Sequence, residues 1–332
     1  MTWKKLFSAA LAAVVLSGAA SVAAQAQNSM TLAMPTTAAP YLLPFFVAQD
    51  LGWYEKAGLK VKETVVTGDT NCLRAVITGD ADTTYIGPNT IMQGKANGAK
   101  IKMIGSFQPI VDYRIMARKE VAGSLKDLSD KRWAISSVGG MLQALPKLLM
   151  KKHDIDSSKM VFMSVGGYAA RYQALLAGTV DASLLDTMLM LRGEKDGRLK
   201  YVGSIADSFP KMGFVYFAVR EGDLSNAEKR KALQIFMTEG MKGARYIVDH
   251  PREAAEIMEK RLKGSDVDGM TEVLKQMTAL GVWGINGGTE RDVFEFSEDV
   301  YRSTGEIKSE VRYGDLMDTT LADASVKELG KR

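Results

Sequence analysis

The stretch Ala75-Val-Ile-Thr-Gly79-Asp-Ala-Asp82-Thr-Thr-Tyr-Ile86 is echoed 99 residues later by Ala174-Leu-Leu-Ala-Gly178-Thr-Val-Asp181. Gly68 and Gly167, which each follow an expected strand, keep the same offset. A single helix–glycine–strand unit can occur twice in any α/β protein. The matched upstream glycine instead favours a chain built from two similar α/β lobes, because self-similarity at a fixed offset indicates repeated architecture.

Strand and helix patterns alternate around the first stretch. Apolar residues predict a strand at 59–65, a helix face at 73–77 and another strand at 83–86. A further strand and helix are expected within 133–149. Pro146 lies in that helix, where proline removes a backbone donor, so we expect a kink or a later helix start. The alternation predicts an α/β fold with parallel strands.

The last third of the sequence is predicted to be helical. Ser225 and Glu228 have the spacing of a capping box before a long amphipathic helix, and Pro251 is typical of the first turn of the next one. Apolar periodicity predicts further helices at 267–277 and 293–300. We expect these helices to pack on the first lobe.

Two compact apolar runs suggest where the chain passes between the lobes. The runs at 113–117 and 214–219 are predicted to be the two crossings. The first lobe would then comprise 27–117 and 213–332, and the second lobe, 118–212, would be inserted between them.

The composition excludes several classes of protein. The 332 residues are 46% hydrophobic, 25% charged and 8% aromatic, which excludes disordered, collagen-like and disulfide-scaffold proteins. The net charge of +4 is nearer +2 without Lys4 and Lys5, which lie in a leader, and there is no basic tract. We therefore expect no nucleic-acid partner. The single cysteine excludes an internal disulfide.

The first 26 residues have the pattern of a signal peptide. A positive start is followed by an apolar run at 6–20 and by Ala24-Gln25-Ala26, which predicts cleavage after Ala26. The competing interpretation is a membrane anchor, but the run is short for a bilayer span. Cys72 lies far from the cleavage point, so lipidation is not expected. These features predict an exported periplasmic protein without stable membrane insertion.

No motif for catalysis, a cofactor or a metal site is recognisable. Neither His153 nor His250 has a partner at metal-ligand spacing, and both are expected to lie at helix ends. The sequence contains no nucleophile elbow, zinc-protease or nucleotide-loop pattern. Cys72 is either a small buried residue that lines the core or a ligand site, or a thiolate nucleophile. We therefore predict a protein without cofactor, metal or catalytic residues.

Small and hydroxyl residues are concentrated in four expected strand-to-helix turns. In open parallel sheets, ligands bind outside the carboxyl ends of the strands, where helix N-termini present unpaired N–H groups. The alternative is that these side chains only cap helices. The turns are Thr36-Thr37-Ala38, Gly68-Asp69-Thr70-Asn71, Gly87-Pro88-Asn89-Thr90 and Ser136-Ser137-Val138-Gly139-Gly140.

Several segments resemble one protein family. Pro44-Phe-Phe-Val-Ala48-Gln-Asp-Leu-Gly52-Trp-Tyr-Glu-Lys-Ala-Gly58-Leu-Lys-Val resembles the opening of the NMT1/THI5-like and sulfonate/nitrate/taurine group of periplasmic substrate-binding proteins of ABC transporters. Ser124-Leu-Lys-Asp127-Leu, the second stretch quoted above and residues 312–322 resemble later family segments in the same order. The chain departs from the family at Asp130-Lys131-Arg132, where Gly-Lys-Lys is usual.

The resemblance implies a type II binding-protein fold, with two lobes, two hinge crossings and an interlobe ligand cleft. It also implies a monomer that binds a small molecule by hinge closure and interacts with a membrane permease. The turn positions expected to contact the ligand by this resemblance, or by their place in the turns, are Thr36, Thr37, Ala38, Gly68, Asp69, Thr70, Asn89, Ser136, Ser137 and Gly140.

Charged and aromatic residues near the expected cleft refine the hypothesis. Asp69 and Asp186 either cap helices or accept hydrogen bonds from an organic ligand. Arg171 is the leading cation for a ligand carboxylate or sulfonate, the alternative being a solvated helix face. Five aromatic residues could stack on a flat ligand or belong to the core: Tyr41, Phe107, Tyr113, Tyr168 and Tyr216.

The sequence therefore predicts a periplasmic solute-binding subunit of an ABC importer. The expected solute is a small organic molecule such as a sulfonate, an aromatic carboxylate or a pyrimidine-like compound. A periplasmic sensor module, or an enzyme on the same fold, remains the alternative.

Overall fold

The structure is a computed structural model that describes residues 28–37, 39–121, 123–261 and 266–332. The predicted signal peptide and Ala38 lie outside the described residues. Within this part of the chain, no helix is both long and apolar enough to span a bilayer.

Ten strands form two five-stranded sheets. In chain order they are Asn28–Met34 (β1), Leu59–Val65 (β2), Thr83–Ile86 (β3), Ile101–Met103 (β4), Arg114–Arg118 (β5), Arg132–Ile135 (β6), Val161–Ser164 (β7), Ala182–Leu185 (β8), Leu199–Ser204 (β9) and Tyr216–Arg220 (β10).

The two sheets have the same layout. The first has the order β2-β1-β3-β10-β4, and the second has the order β7-β6-β8-β5-β9. In the first sheet β10 runs antiparallel to β3 and β4, and in the second sheet β5 runs antiparallel to β8 and β9. The remaining strand pairs are parallel. Each sheet with its flanking helices forms one lobe, which confirms the predicted two-lobed α/β fold.

Helices cover both sheets and form most of the last third of the chain. Their bounds are Leu43–Asp50 (α1), Trp53–Lys56 (α2), Asp69–Thr78 (α3), Pro88–Ala96 (α4), Met141–Lys152 (α5), Tyr168–Leu176 (α6), Thr187–Lys195 (α7), Ile205–Ser208 (α8), Ala227–Asp249 (α9), Pro251–Arg261 (α10), Val267–Ala279 (α11), Arg291–Ser303 (α12), Tyr313–Leu316 (α13) and Thr320–Leu329 (α14). Short 3₁₀ helices lie at Pro40–Leu42, Leu125–Leu128 and Glu221–Leu224.

The internal repeat predicted from the sequence is a repeat of structure. Gly68 and Gly167 are the N-caps of α3 and α6, and Gly79 and Gly178 adopt left-handed backbone angles after those helices. The two aspartates of the repeat also correspond. Asp82 accepts a hydrogen bond from the Thr31 N–H at 2.8 Å. Asp181 accepts one from the Arg132 N–H at 3.1 Å. Each aspartate thus ties the start of the central strand of its sheet, β3 or β8, to the neighbouring parallel strand, β1 or β6.

The two crossings lie elsewhere than predicted. The run expected at 113–117 forms most of β5 in the second sheet, and the run at 214–219 forms most of β10 in the first. The connections are the segments immediately before these strands, which are joined by an antiparallel bridge between Ile110 and Gly213. An apolar run is typical both of a buried antiparallel strand and of a buried connection, so the sequence pattern could not separate the two.

Two local predictions about helix starts are corrected. Helix α5 begins at Met141 and continues through Pro146, so the later start is wrong. Helix α9 is capped by Asn226, whose side chain accepts from the Lys229 N–H at 3.0 Å, and not by a Ser225–Glu228 capping box. Asn and Ser are comparably good N-caps, so neighbouring residues of these two types compete for the position.

The C-terminal helices pack mainly on the first lobe. Helix α9 packs against α1, α2 and α14, and α10 packs against α1 and α11. Helix α11 also contacts α7, which belongs to the second lobe. This helix therefore bridges the two lobes on one side.

Candidate functional site

Four helices begin at the boundary between the lobes, each after a glycine. Helices α3 and α4 of the first lobe follow Gly68 and Gly87, and α5 and α6 of the second lobe follow Gly140 and Gly167. None of the four has a side-chain cap. Because the first N–H groups of a helix have no partner within it, these termini are suited to binding acceptor atoms of a ligand.

The lobes approach each other closely at three of these glycines. A Cβ at Gly87 would lie 3.0 Å from Met141 Cε of the second lobe. A Cβ at Gly68 would lie 2.6 Å from Ser137 Oγ, and a Cβ at Gly167 would lie 3.0 Å from Thr36 Oγ1. Gly68 also has a φ of +86°, which side chains other than glycine rarely adopt. A side chain at Gly68 would therefore clash with Ser137 unless one of the two segments moved.

Between the helix starts lies a chamber of about 40 Å³. A single water needs roughly 10–15 Å³ on this measure, so the chamber holds about three water-sized groups. Both lobes contribute to its walls, which are Pro35, Thr36, Tyr41, Asp69, Tyr85, Ile86, Gly87, Tyr113, Ser136, Met141, Leu142, Gly167, Tyr168, Arg171, Phe214 and Val215. We call this space the inner chamber.

Arg171 places a positive charge at the inner chamber. Its side chain is 1% exposed, so the alternative of a solvated helix face is wrong. The guanidinium donates to Gly166 O at 2.9 Å and to Leu184 O at 3.4 Å, and it lies 4.6 Å from the Tyr168 ring centroid. Its Nε is buried with no partner among the described residues. A buried N–H without a partner is costly, so a ligand acceptor at this atom would be favourable.

Three tyrosines form an aromatic wall beside Arg171. The Tyr168 hydroxyl donates to the Tyr113 hydroxyl at 3.1 Å, and the Tyr41 ring lies 6.3 Å from that of Tyr168. Phe214 packs edge-on against Tyr41 and Tyr113. Burial raises the pKa of Tyr113 to about 12, so its hydroxyl stays protonated at neutral pH. These rings offer both a flat apolar surface and hydroxyl groups to a ligand.

The other two predicted aromatic residues do not line this chamber. Phe107 packs in the core of the first lobe against the rings of Tyr85, Phe217 and Phe236. Tyr216 is buried on β10, and its hydroxyl has no partner in the described part of the chain.

Asp69 does not cap its own helix. Its Oδ2 instead accepts from the Gly87 N–H at 3.3 Å, which links the starts of α3 and α4. Burial raises the pKa of the Asp69 carboxyl to about 6, although the Gly87 hydrogen bond and the charge of Arg171 act in the opposite direction. Near neutral pH this carboxyl is therefore close to its titration point.

Asp186 has the predicted capping role. One oxygen accepts from the Leu189 N–H at 2.8 Å at the start of α7, while Oδ2 is buried without a partner among the described residues. Burial, and to a smaller degree the charge of Asp112, raise the pKa of the Asp186 carboxyl to about 6. The free oxygen can still accept a hydrogen bond from a ligand.

The remaining predicted positions are distributed over the cleft. Thr36 and Ser136 line the inner chamber, while Thr37 and Thr70 are exposed. Asn89 is buried, and its Nδ2 donates across the cleft to Gly139 O at 3.5 Å. Gly68, Ser137 and Gly140 lie where the lobes touch, with Gly140 against Ser137 and Asp69.

Sequence reasoning missed several residues of the inner chamber. Tyr85 and Ile86 end β3, Met141 and Leu142 begin α5, and Phe214 and Val215 precede β10. In the sequence these residues continue ordinary apolar runs, which indicate burial but not which cavity they face. The one available signal was position, since most of them adjoin turns that were predicted to bind.

A second, larger cavity of about 940 Å³ adjoins the inner chamber. The two share Pro35, Thr36, Gly167 and Tyr168 as walls. Helices α6, α7 and α11 supply most of its other walls. We call this space the outer cavity.

Cys72 is a buried residue of the first lobe. Its Sγ donates to Val66 O at 2.9 Å, and burial raises the pKa of the thiol to about 12. A protonated, hydrogen-bonded thiol is a poor nucleophile. Within the described ranges there is also no group of three or more His, Cys, Asp or Glu side chains arranged to hold a metal ion.

Solved structures share this architecture at low sequence identity. A protein of Bordetella bronchiseptica RB50 is 15% identical, with a TM-score of 0.77 over 92% of this chain and 98% of that one. The alkanesulfonate-binding protein SsuA of Xanthomonas axonopodis pv. citri, solved bound to MOPS, is 12% identical, with a TM-score of 0.68 over 88% of this chain and 99% of that one. The shared fold is the two-lobed α/β fold of periplasmic binding proteins.

An enzyme is also among the relatives in sequence. The 4-amino-5-hydroxymethyl-2-methylpyrimidine phosphate synthase of Uromyces fabae is 28% identical over 149 residues, which cover 44% of this chain and 42% of that protein. The model of the family described as NMT1/THI5 like matches residues 39–254, more than half of the chain. The fold, the interlobe cleft and this match together show that the chain belongs to the NMT1/THI5-like family.

Proposed function

We propose that this protein is the periplasmic solute-binding subunit of an ABC importer and captures a small organic anion between its lobes. The observation that carries the proposal is the inner chamber, where both lobes contribute walls and where the buried Arg171 Nε has no partner within the described chain. A buried cation beside helix N-termini that lack side-chain caps favours an acceptor-rich, negatively charged group.

The chemistry of the chamber favours a sulfonate or carboxylate attached to an organic body. Arg171 and the helix starts would bind the charged group, and the rings of Tyr41, Tyr113 and Tyr168 would contact a flat or apolar part. The structural relative bound to MOPS, a ring joined by a short chain to a sulfonate, supports this class of ligand. Micromolar affinity corresponds to about −8 kcal/mol, which several buried hydrogen bonds and one stacked ring can supply.

Capture would work by closure of the lobes. A ligand that contacts both lobes favours the closed arrangement over the open one, and a membrane permease can distinguish the two. In this proposal, the close approaches of Gly68 to Ser137 and of Gly167 to Thr36 would belong to the closed arrangement. Chemistry on the solute is not required.

The test is to identify the solute and measure closure. We expect denaturation of the purified protein to release a small anion, which mass spectrometry then identifies. We expect a panel of sulfonates, aromatic carboxylates and pyrimidines to include a ligand that raises the melting temperature and reduces the radius of gyration in solution scattering. If no panel member and no co-purified compound has either effect, the proposal is wrong.

The pyrimidine phosphate synthase relative makes an enzyme the second candidate. Turnover of a bound pyrimidine that disappears in Cys72→Ala would support it. The buried thiol, bonded to Val66 O, does not favour this role for Cys72.

A further inference from the structure

The inner chamber is too small for a whole organic solute. Its 40 Å³ hold about three water-sized groups, which suits a sulfonate or carboxylate group but not the body that carries it. The outer cavity, at about 940 Å³, is the adjoining space and shares four wall residues with the chamber. A solute whose charged group lies beside Arg171 would therefore extend into the outer cavity.

We propose that the outer cavity, which α7 and α11 line together, selects amphiphilic anions by the size of their apolar body. This inference rests on the proposed function and adds the part of the molecule that sets the length of the solute. The charged group would bind in the inner chamber, and the body would lie against α7 and α11.

The position of α11 supports this role. On one side the helix packs against α9 and α10, and on the other it contacts α7 of the second lobe. Met270 and Val273 line the outer cavity, and one turn further Met277 lines a small pocket with Phe214 and Tyr168. The helix thus runs along one side of the cleft from the outer cavity to the connections between the lobes.

The walls of the outer cavity are suited to an apolar chain. Met188 and Leu189 of α7 face it from the second lobe, and Met270 and Val273 of α11 face it from the other side. Methionine side chains adapt to ligands of different shape because they are unbranched and polarisable. The cavity also has charged residues in its walls. Four of them are exposed to solvent, which can hydrate them: Arg192, Lys195, Asp196 and Asp266; Arg261 is partly buried and Asp186 is buried.

Binding should consequently depend on chain length. Each methylene that enters an apolar site strengthens binding by about fourfold, until the cavity is filled. A site formed by the inner chamber alone would show no such dependence.

The experiment compares unbranched alkanesulfonates of one to eight carbons, together with the matching carboxylates, by calorimetry on the purified protein. Two variants of α7 are compared with the wild type. Met188→Asp places a charge on the cavity wall, and Met190→Asp places the same charge on the same helix at a partly buried residue that does not line the cavity. Circular dichroism and thermal melts establish that both variants are folded.

We expect the wild type and Met190→Asp to bind longer chains more tightly, by about fourfold per methylene. We expect Met188→Asp to bind the one-carbon member as the wild type does and to lose at least tenfold for the eight-carbon member. Equal affinity for all lengths in the wild type, or an unchanged length dependence in Met188→Asp, would overturn the inference and leave the proposed function standing. Failure of every alkanesulfonate and carboxylate to bind would also overturn this inference. The proposed function would fail as well only if neither the wider panel nor the co-purified fraction contained a ligand.

Discussion

Helices α3 and α6 occupy corresponding places in the two lobes, yet their cleft-facing residues differ. At the 99-residue offset, Cys72 corresponds to Arg171 and Asp69 to Tyr168. Cys72 and Arg171 each donate to a carbonyl of the turn before their own helix, Val66 O and Gly166 O, in both cases at 2.9 Å. The thiol ends in the core, whereas the guanidinium reaches the inner chamber. The repeat thus supplies the same scaffold twice, and the chemistry differs between its copies.

The largest expected effect tests that difference directly. Arg171→Met should weaken binding of an anionic ligand by about 1.5–3 kcal/mol, because a charged hydrogen bond in a buried site is lost. Cys72→Ala, at the corresponding position of the first lobe, should leave the affinity unchanged. Calorimetry with a sulfonate or carboxylate that the panel shows to bind measures both. Equal affinities of Arg171→Met and the wild type would show that the guanidinium only supports the turn.

The second effect concerns Asp69, the first residue of α3, which corresponds to Tyr168 at the start of α6. Its pKa in the folded protein is about 6, so between about pH 4 and 6 the folded state holds a proton that the unfolded state has released. The contribution of Asp69 to stability is therefore complete below pH 4 and is lost as the pH rises through 6. Asp69→Asn, which can still accept from the Gly87 N–H, should remove this loss.

Since the Asp69 carboxyl is only partly shielded from solvent, we expect the variant to be more stable than the wild type by about 1–2 kcal/mol at pH 7. The two proteins should be equally stable near pH 3.5. Urea unfolding at several pH values provides the measurement. A difference that does not change with pH would contradict the raised pKa.

The third effect separates closure of the lobes from backbone strain. Gly68 and Gly79 have nearly the same φ, +86° and +89°, but only Gly68 contacts the other lobe. Alanine at Gly79, where ψ is 7° and the backbone is left-handed, should cost about 1 kcal/mol of stability. Alanine at Gly68 should cost more, because its ψ of 145° lies in a region that is essentially confined to glycine. Only Gly68→Ala should also reduce ligand-induced compaction in solution scattering. If both variants close as the wild type does, the contact with Ser137 does not limit closure.

The smallest effect concerns the ends of the sheets away from the cleft. Asp181 forms ion pairs with Arg132 and Arg118 with its side chain 10% exposed, whereas Asp82, 29% exposed, interacts with Lys229 and Arg220. Asp181→Asn should cost about 0.5–1 kcal/mol of stability, and Asp82→Asn less, because a more exposed pair is weaker. Chemical denaturation measures the two values. The reverse order would mean that burial does not set the strength of these pairs.

Local patterns in the sequence predicted the fold well. The cap glycines, the periodicity of the helices and the alternation with strands each depend on residues within about 20 positions of one another. Such short-range patterns are visible in the sequence, so the repeat could be recognised without a structure. The membership of β5 and β10 could not be predicted in this way, because each pairs with strands distant in sequence and its apolar run resembles that of a buried connection.

The candidate site was predicted in part for the same reason. Turn residues such as Thr36, Asp69 and Ser136 carry a local signal and do line the inner chamber. The contributions of Phe214 and of α11 arise only when the chain returns from the second lobe and the C-terminal helices pack. Tertiary packing decides which face of an apolar segment meets a cavity, and periodicity alone does not contain that information.

The position of β10 has a consequence for how the polypeptide acquires its fold during synthesis. All five strands of the second sheet lie in one continuous stretch of chain, from β5 to β9, whereas β10 separates β3 from β4 in the first sheet. The chain is synthesised from its N-terminus, so β3 and β4 are made long before β10, the strand that joins them. The edge of β3 therefore stays unpaired until residue 220 has been made. Unpaired edges promote aggregation. The lobe that is synthesised first is thus the one that must finish last.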